Sequence, residues 1–474
     1  MVKEEKMEEL YPQTSLLGAE SAPDFTEAFS IILKLIENKS YRELRELTES
    51  IPAPDIAEAF ENIPETYHPL LFRILSKEKA AQTFVDMPSE MQRELIGSFT
   101  DHELSEMLSE LYIDDVVDLV EEMPAVVVKR ILKSASTEDR QSINQILRYP
   151  KHSAGSVMTT EYVRFIEGMT VEAALTHIRR VAVDKETIYT CYVTDKDRRL
   201  IGVVTAKELL TNELDTQLVD IMERNVLCVH THLDREEVAS SLNKYNLLAM
   251  PVVDGESRLV GIVTLDDALD VIIEESEEDF AKMAAITPTE TPYLRTSVVD
   301  IFKARFPWLL ILMLSSTISG AILSIFEAAL PAVLVLFVPM IMGTGGNSGG
   351  QSSVTVTRSI SLSEVEFSDL FRVFFKEMRV GVLCGGILGV ITFIKVLLVD
   401  RLMLGNPEIT LWVALAVSLA LGVTILVAKM IGATLPILAK KIGLDPAVMA
   451  SPLITTLVDA VSLILYFLVA SSVL

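Results

Sequence analysis

The chain has 474 residues, enough for about three domains, half of them apolar, and yet it carries a formal net charge of −25. An acidic excess of that size argues against nucleic acid as a partner and makes divalent cations a natural one. The two properties reconcile once the chain is split: residues 1–300 hold most of the acids and residues 308–474 hold nearly continuous apolar runs, an acidic soluble half joined to a membrane half.

The N-terminus, MVKEEKMEEL, places acids where a secretory signal would be cationic. Residues 1–24 are read as a tail. The first membrane-length run begins near Trp308, so everything before it is expected to stay in the cytoplasm. Residues 25–150 read as an all-helical N domain, with apolar residues at three- and four-residue spacing such as Val116, Val117, Leu119 and Val120. The punctuation FENIPE, FVDMPSE and LVEEMPA recurs, and Pro64, Pro88 and Pro124 are each expected at the first position of a new helix. A short superhelical array of helix pairs is predicted.

Residues 151–265 contain an internal repeat. VTDKDRRLIGVVT, from Val193, matches VVDGESRLVGIVT, from Val252, position for position. Each predicts a strand, a turn built on Asp195 or Asp254, a second strand, and Thr205 or Thr264 opening a helix. A methionine-led segment precedes each, at Met158 and at Met222. The pattern resembles a tandem CBS (Bateman) pair of α/β modules. That resemblance implies a regulatory unit that often dimerises and sometimes binds adenine nucleotides. ATP is thus a candidate ligand, with Arg198, Arg199 and Arg258 meeting either phosphate or solvent.

Residues 266–300 read as an acidic helix and linker. The stretch DDALDVIIEESEED, residues 266–279, holds eight acids and no base. Like charges at helical spacing repel by a few tenths of a kcal/mol per pair, so they are either solvated or relieved by bound cations. Residues 301–474 give five spans, at about 308–327, 331–355, 379–399, 411–435 and 448–474. Lys303, Arg305, Arg358, Arg372, Lys376, Arg379, Lys440 and Lys441 fall on one side. Counting basic residues puts the N-terminal half in the cytoplasm and the C-terminus outside.

Two membrane features carry chemistry. GTGGNSGGQSS, residues 343–353, interrupts the second span with five glycines, Asn347, Gln351 and hydroxyls. It is expected to be irregular backbone lining a cavity, with close glycine packing as the alternative. It lacks the GK[ST] of a phosphate-binding loop. Asp459, the one charged residue after Val448, sits among Thr455, Thr456 and Ser462. A carboxylate there costs about 2.5 kcal/mol or more. It serves as a structural hydrogen-bond partner, a proton carrier, or the wall of a cation path. Mg²⁺ keeps its waters, so one carboxylate with hydroxyls and carbonyls suits a hydrated ion. Lys395 and Lys429 are expected near the ends of their spans. Cys191, Cys228 and Cys384 are unclustered and read as reduced core thiols. No nucleophile–base pair or His/Cys metal set appears, so an enzyme is not expected.

From DIAEAFENIP at residue 55, through the CBS pair, to GGNSGGQSS and LDPAVMASPLITTLVDA, the chain resembles the MgtE family of magnesium channels, also called magnesium transporters. The resemblance implies a homodimer in the lipid bilayer of a prokaryotic inner membrane. Its pore lies at the dimer axis, and a plug helix follows the CBS pair. Cytosolic Mg²⁺ clamps the acidic domains to close the pore. By the same resemblance Asp459, Asn347 and Thr455 meet the permeating ion. Asp445, Asp267, Asp270, Glu275, Glu278, Asp279, Glu236, Asp114 and Asp118 are the regulatory ligands, the last two with a register open by one residue. Asn246, Ser462 and Ala450 depart from the family's usual aspartate and small residues. An H⁺- or Na⁺-coupled divalent-cation transporter is the alternative, and a membrane-anchored nucleotide sensor a third reading.

Overall fold

The computed structural model describes residues 25–289, 293–294, 296–327, 331–362, 364–448 and 451–474; the tail at 1–24 and Ala450 lie outside the described residues. The chain divides into two compact units, Met1–Ile272 and Ile273–Leu474.

The first unit opens with ten described α-helices, from Phe25–Glu37 to Thr137–Ile146. Most of them pack against the second helix along. Ala53–Asn62 meets Lys77–Val85, which meets Asp101–Leu108, which meets Ala125–Ser134. That offset winds the predicted superhelix. Pro88 and Pro124 stand at the N-cap of Ser89–Ser98 and Ala125–Ser134, and Pro64 caps the 3₁₀ turn Glu65–Tyr67. They lie one residue before the expected first helical position. There φ of −56° to −59° suits the ring while an extended ψ ends the previous helix. Helix α1 (Ile113–Glu122) buries Val116, Val117, Leu119 and Val120 and leaves Asp118 on its exposed face.

Each repeat forms the expected strand–turn–strand and helix, and an earlier strand not expected from the sequence pairs in parallel to complete a three-stranded sheet. Strands β1 (Tyr162–Ile166), β2 (Thr187–Thr194) and β3 (Leu200–Thr205) lie in that order, with β1 parallel and β3 antiparallel to β2. Strands β4 (Val229–His230), β5 (Ala249–Val253) and β6 (Leu259–Thr264) repeat the pattern. Asp195 Oδ1 accepts from the N–H groups of Asp197 and Arg199, and Asp254 Oδ1 accepts from those of Glu256 and Arg258. Arg198 and Ser257 take the left-handed position, φ 67° and 61°. Thr205 caps Ala206–Thr211 in a capping box with Glu208, and Thr264 opens helix α2 (Leu265–Met283) by donating to Asp267.

The two methionine-led segments exchange places. Met158 packs on Gly261 of the second repeat, where a Cβ would lie 2.6 Å from its sulfur, and Met222 packs on Gly202 of the first at 2.4 Å. The hairpin tips also join, through Leu200 N–H to Ser257 O and Leu259 N–H to Arg198 O. Arg258 pairs with Glu256. Cys191 is buried, but Cys228 is exposed, against the expectation for a core thiol.

The second unit holds five helices long and apolar enough to cross a membrane. These are α3 (Val298–Glu327), α4 (Val338–Ser361), α5 (Leu370–Lys395), α6 (Leu411–Lys441) and α7 (Ser451–Val473). Helix α6 is the centre, packing on α4, α5 and α7. Gly381, Gly385 and Gly389 of α5 lie against Leu426, Gly422 and Ser418 of α6, backbone on backbone. Residues 343–353 are continuous helix, contrary to the expected irregular segment. Neighbouring helices bury Gly345, Gly346, Gly349 and Gly350, so packing holds in place a helix that glycine alone would disfavour.

Candidate functional site

Asp459 sits mid-helix on α7 with Thr455 one turn before it. Both touch α4 at Gly346. A Cβ on Gly346 would lie 2.7 Å from Thr455 Cγ2 and 3.2 Å from Asp459 Oδ1. Only glycine lets the carboxylate lie against the α4 backbone. Asn347 follows on the exposed face of α4, where Gln351 and Thr355 continue a polar stripe at four-residue spacing. A polar stripe on a membrane helix needs water or protein against it.

Behind Asp459 the packing carries an unusual set of atoms. Asp459 Oδ1, Ser462 Oγ and Thr424 Oγ1 are buried and meet no hydrogen-bond partner among the described residues. Gly345 makes room for two of these residues, since a Cβ there would lie 2.5 Å from Ser462 Oγ and 2.8 Å from Thr424 Cγ2. Buried polar atoms are rarely left unpaired.

One charge lies deeper in the bundle than its sequence position suggests. Lys429 lies in the middle of α6 and is only 6% exposed. Its ammonium donates to Ser352 Oγ of α4 at 3.5 Å, and Ser352 donates to Glu377 Oε2 of α5 at 2.7 Å. A hydroxyl thus links a buried cation and an anion across three helices. Lys395 does lie at a span end, paired with Asp400 at 2.8 Å.

In the first unit the acids converge. Asp114, 8% exposed, offers a carboxylate oxygen to a cluster with Glu161 and Glu186 whose ligand atoms lie within 4.8 Å of one another. Glu186 Oε2 is buried with no partner among the described residues. Burial, then the charges of Asp267, Asp115 and Glu186, pushes Asp114 well above the usual carboxylate range. Burial first and Asp267 second raise Asp115 to about 6 and Glu186 to about 8. Asp267 rises to about 6, burial outweighing its bond from Thr264. Carboxylates crowded this closely fit a hard divalent cation, which takes oxygen ligands.

The structure therefore brings Asp114 and Asp267 together and adds Asp115, Glu161 and Glu186. Glu161 and Glu186 precede β1 and β2, and the parallel register Tyr162↔Thr187 sets them side by side. Pairing those strands in parallel would have found them. Asp118 lies on the exposed face of α1, outside this cluster. Asp270 faces Asp86 of the N domain, whose carboxyl is raised by burial and then by Asp270. Glu236 is exposed in the first turn of Arg235–Tyr245. Asn246 ends that helix at φ 51°, a left-handed position asparagine tolerates.

The far end of α2 belongs to the second unit. Lys282 meets Asp445 Oδ2 at 2.7 Å and Glu278 at 2.5 Å. Burial works to lower the Lys282 pKa, but its bonds to Asp445 and Glu278 outweigh this and raise it. Ser361, at the end of α4, donates to Asp279 at 3.0 Å. Asp279 rises because burial outweighs that bond. Glu275 lies half-buried on the same helix.

Acid-rich helical and CBS domains ahead of a polar-striped membrane bundle define the class of divalent cation transporters. Residues 338–469 match the family described as a divalent cation transporter, residues 51–152 its intracellular N domain, and residues 154–215 and 218–274 the CBS domain. The chain belongs to the MgtE family. It is 37% identical to the magnesium transporter MgtE of Thermus thermophilus, over 90% of this chain and 94% of that one. It is 30% identical to that of Bacillus subtilis, over 94% and 98%. The solved soluble part of a magnesium transporter is 31% identical, covering 53% of this chain and all of that one with a TM-score of 0.50.

Proposed function

We propose that the chain is a magnesium channel of a cell membrane, not an enzyme, with its N-terminal domains in the cytosol and its C-terminus outside. The observation that carries this reading is Asp459, a membrane carboxylate seated against Gly346 beside the exposed stripe of Asn347 and Gln351. Hydrated Mg²⁺ is the substrate. In a homodimer two such stripes would face each other across an axial path, and two Asp459 carboxylates would hold the ion through its waters while Thr455 and Asn347 accept or donate at its rim.

Gating follows from the acids. With Mg²⁺ scarce, Asp114, Asp115, Glu161, Glu186 and Asp267 repel one another. Bound Mg²⁺ relieves that repulsion and holds the first unit together. Asp86 with Asp270 is a further place where an ion would replace repulsion by bridging, whereas at Asp445, Glu275, Glu278 and Asp279 an ion would compete with Lys282, which already joins Asp445 to Glu278. Mg²⁺ shifts the balance only by binding the closed state more tightly.

The test is Mg²⁺ flux into dye-loaded liposomes without a proton or sodium gradient, for the intact chain and for Asp459→Asn. Gradient-independent flux that collapses in the variant supports the channel. The Lys429–Ser352–Glu377 relay favours a second reading, a carrier coupled to H⁺ or Na⁺. Flux appearing only with a gradient would put that carrier in place of the channel.

A further inference from the structure

At the ends of α4 and α6 lies a cavity of about 150 Å³, walled by Ile360 and Ile437 and rimmed by Phe367, Lys440 and Lys441. The Lys441 ammonium stands 3.5 Å from the centre of the Phe367 ring. Lys440 and Lys441 are both exposed, and among the described residues neither has an ion pair. The one acid at the rim, Glu366, turns its carboxylate onto the N–H of Asp369. Two ammonium groups are thereby left over an apolar floor whose walls, Ile360 and Ile437, are 3% and 2% exposed.

The cavity's place in the bundle narrows the ligand. It lies where two helices long enough to span a bilayer end, which in a membrane would be the level of the headgroups. Phe371 and Leu438 nearby are exposed, at 73% and 42%, where acyl chains would run. Basic pockets between spanning helices attract anionic headgroups, and lysine serves phosphate as a compact point charge.

We infer that this cavity binds the phosphodiester headgroup of an anionic phospholipid, with Lys440 and Lys441 as the charged ligands and Phe367 holding Lys441 in place. The inference needs the five helices to cross a bilayer, not to conduct. Its consequence for the molecule is local, because Ile360 adjoins Ser361, the residue that holds Asp279 of α2.

The test is native mass spectrometry of the full chain, stripped of lipid in detergent and offered equal phosphatidylglycerol and phosphatidylcholine with the same acyl chains. Retention of phosphatidylglycerol over phosphatidylcholine by about tenfold is expected for two lysines at a headgroup. The double variant Lys440→Gln, Lys441→Gln should lose that preference, and Lys440→Arg, Lys441→Arg should keep it, which separates binding from folding. Arg358→Gln, an exposed base on the same end of α4, should also keep it. No preference in the intact chain, or equal loss with Arg358→Gln, overturns the site in favour of general interfacial attraction. Full competition by soluble glycerol 3-phosphate would mean that free phosphate, not lipid, is the ligand, and would overturn the lipid assignment. Because no flux is read, failure here leaves the channel reading untouched.

Discussion

Gly432 of α6 and Gly349 of α4 touch backbone to backbone: a methyl group on Gly432 would lie 2.1 Å from the Gly349 carbonyl oxygen. Gly432→Ala must therefore push the two helices apart, an overpacking cost of about 1–3 kcal/mol. The expected result is a lower unfolding temperature in detergent together with reduced flux. Gly386→Ala is the control, since nothing lies within 4 Å of its added carbon. It should leave both unchanged or slightly raise stability through helix propensity.

Gly346 offers a finer perturbation. Its added methyl would press on Thr455 and Asp459 without meeting backbone of another helix. Gly346→Ala is expected to cut Mg²⁺ flux about tenfold, about 1.4 kcal/mol, with the unfolding temperature nearly unchanged. Flux equal to that of the intact chain would separate Asp459 from the conduction path.

The buried relay predicts non-additivity. Lys429→Met takes the cation from a relay whose other end, Glu377, is half-buried, and losing such a partner costs about 1–3 kcal/mol. The double variant Lys429→Met, Glu377→Gln removes both charges and should recover much of the lost stability. A double variant as unstable as the sum of the singles would show that Lys429 and Glu377 are not coupled through Ser352.

A pH dependence follows from the acid cluster. Glu186 at about 8 and Asp115 and Asp267 at about 6 lie above their ordinary values of 4.5 and 3.8. Between about pH 4 and 8 the folded first unit therefore binds more protons than the unfolded one, so its stability falls as pH rises. Calorimetry of the full chain in chelator should find its soluble transition at higher temperature at pH 6 than at pH 8. Millimolar Mg²⁺ should narrow the gap. A transition that rises with pH in chelator would contradict the buried cluster.

What the sequence made legible follows from what is local or periodic. The CBS repeat was readable because its turns are set by Asp195 and Asp254, each bonding N–H groups two and four residues ahead. The spans were readable from apolar length, and Asp459 from its isolation. The acid cluster was half readable: Asp114 and Asp267 came from a resemblance, whereas Glu161 and Glu186 meet only through a parallel strand pairing. The glycine segment misled because helix propensity is local and the packing that overrides it is not. Hydropathy puts Lys429 near a span end because α6 runs on to Lys441, beyond where the apolar run fades.

The exchange of Met158 and Met222 makes the two repeats depend on each other. Each half lends the other a piece of its own interior, Met158 against Gly261 and Met222 against Gly202. After such a trade neither copy can be excised and leave a finished domain behind. A deletion of either half would uncover a sheet edge as well as an apolar socket, so the duplication is locked in by its own architecture.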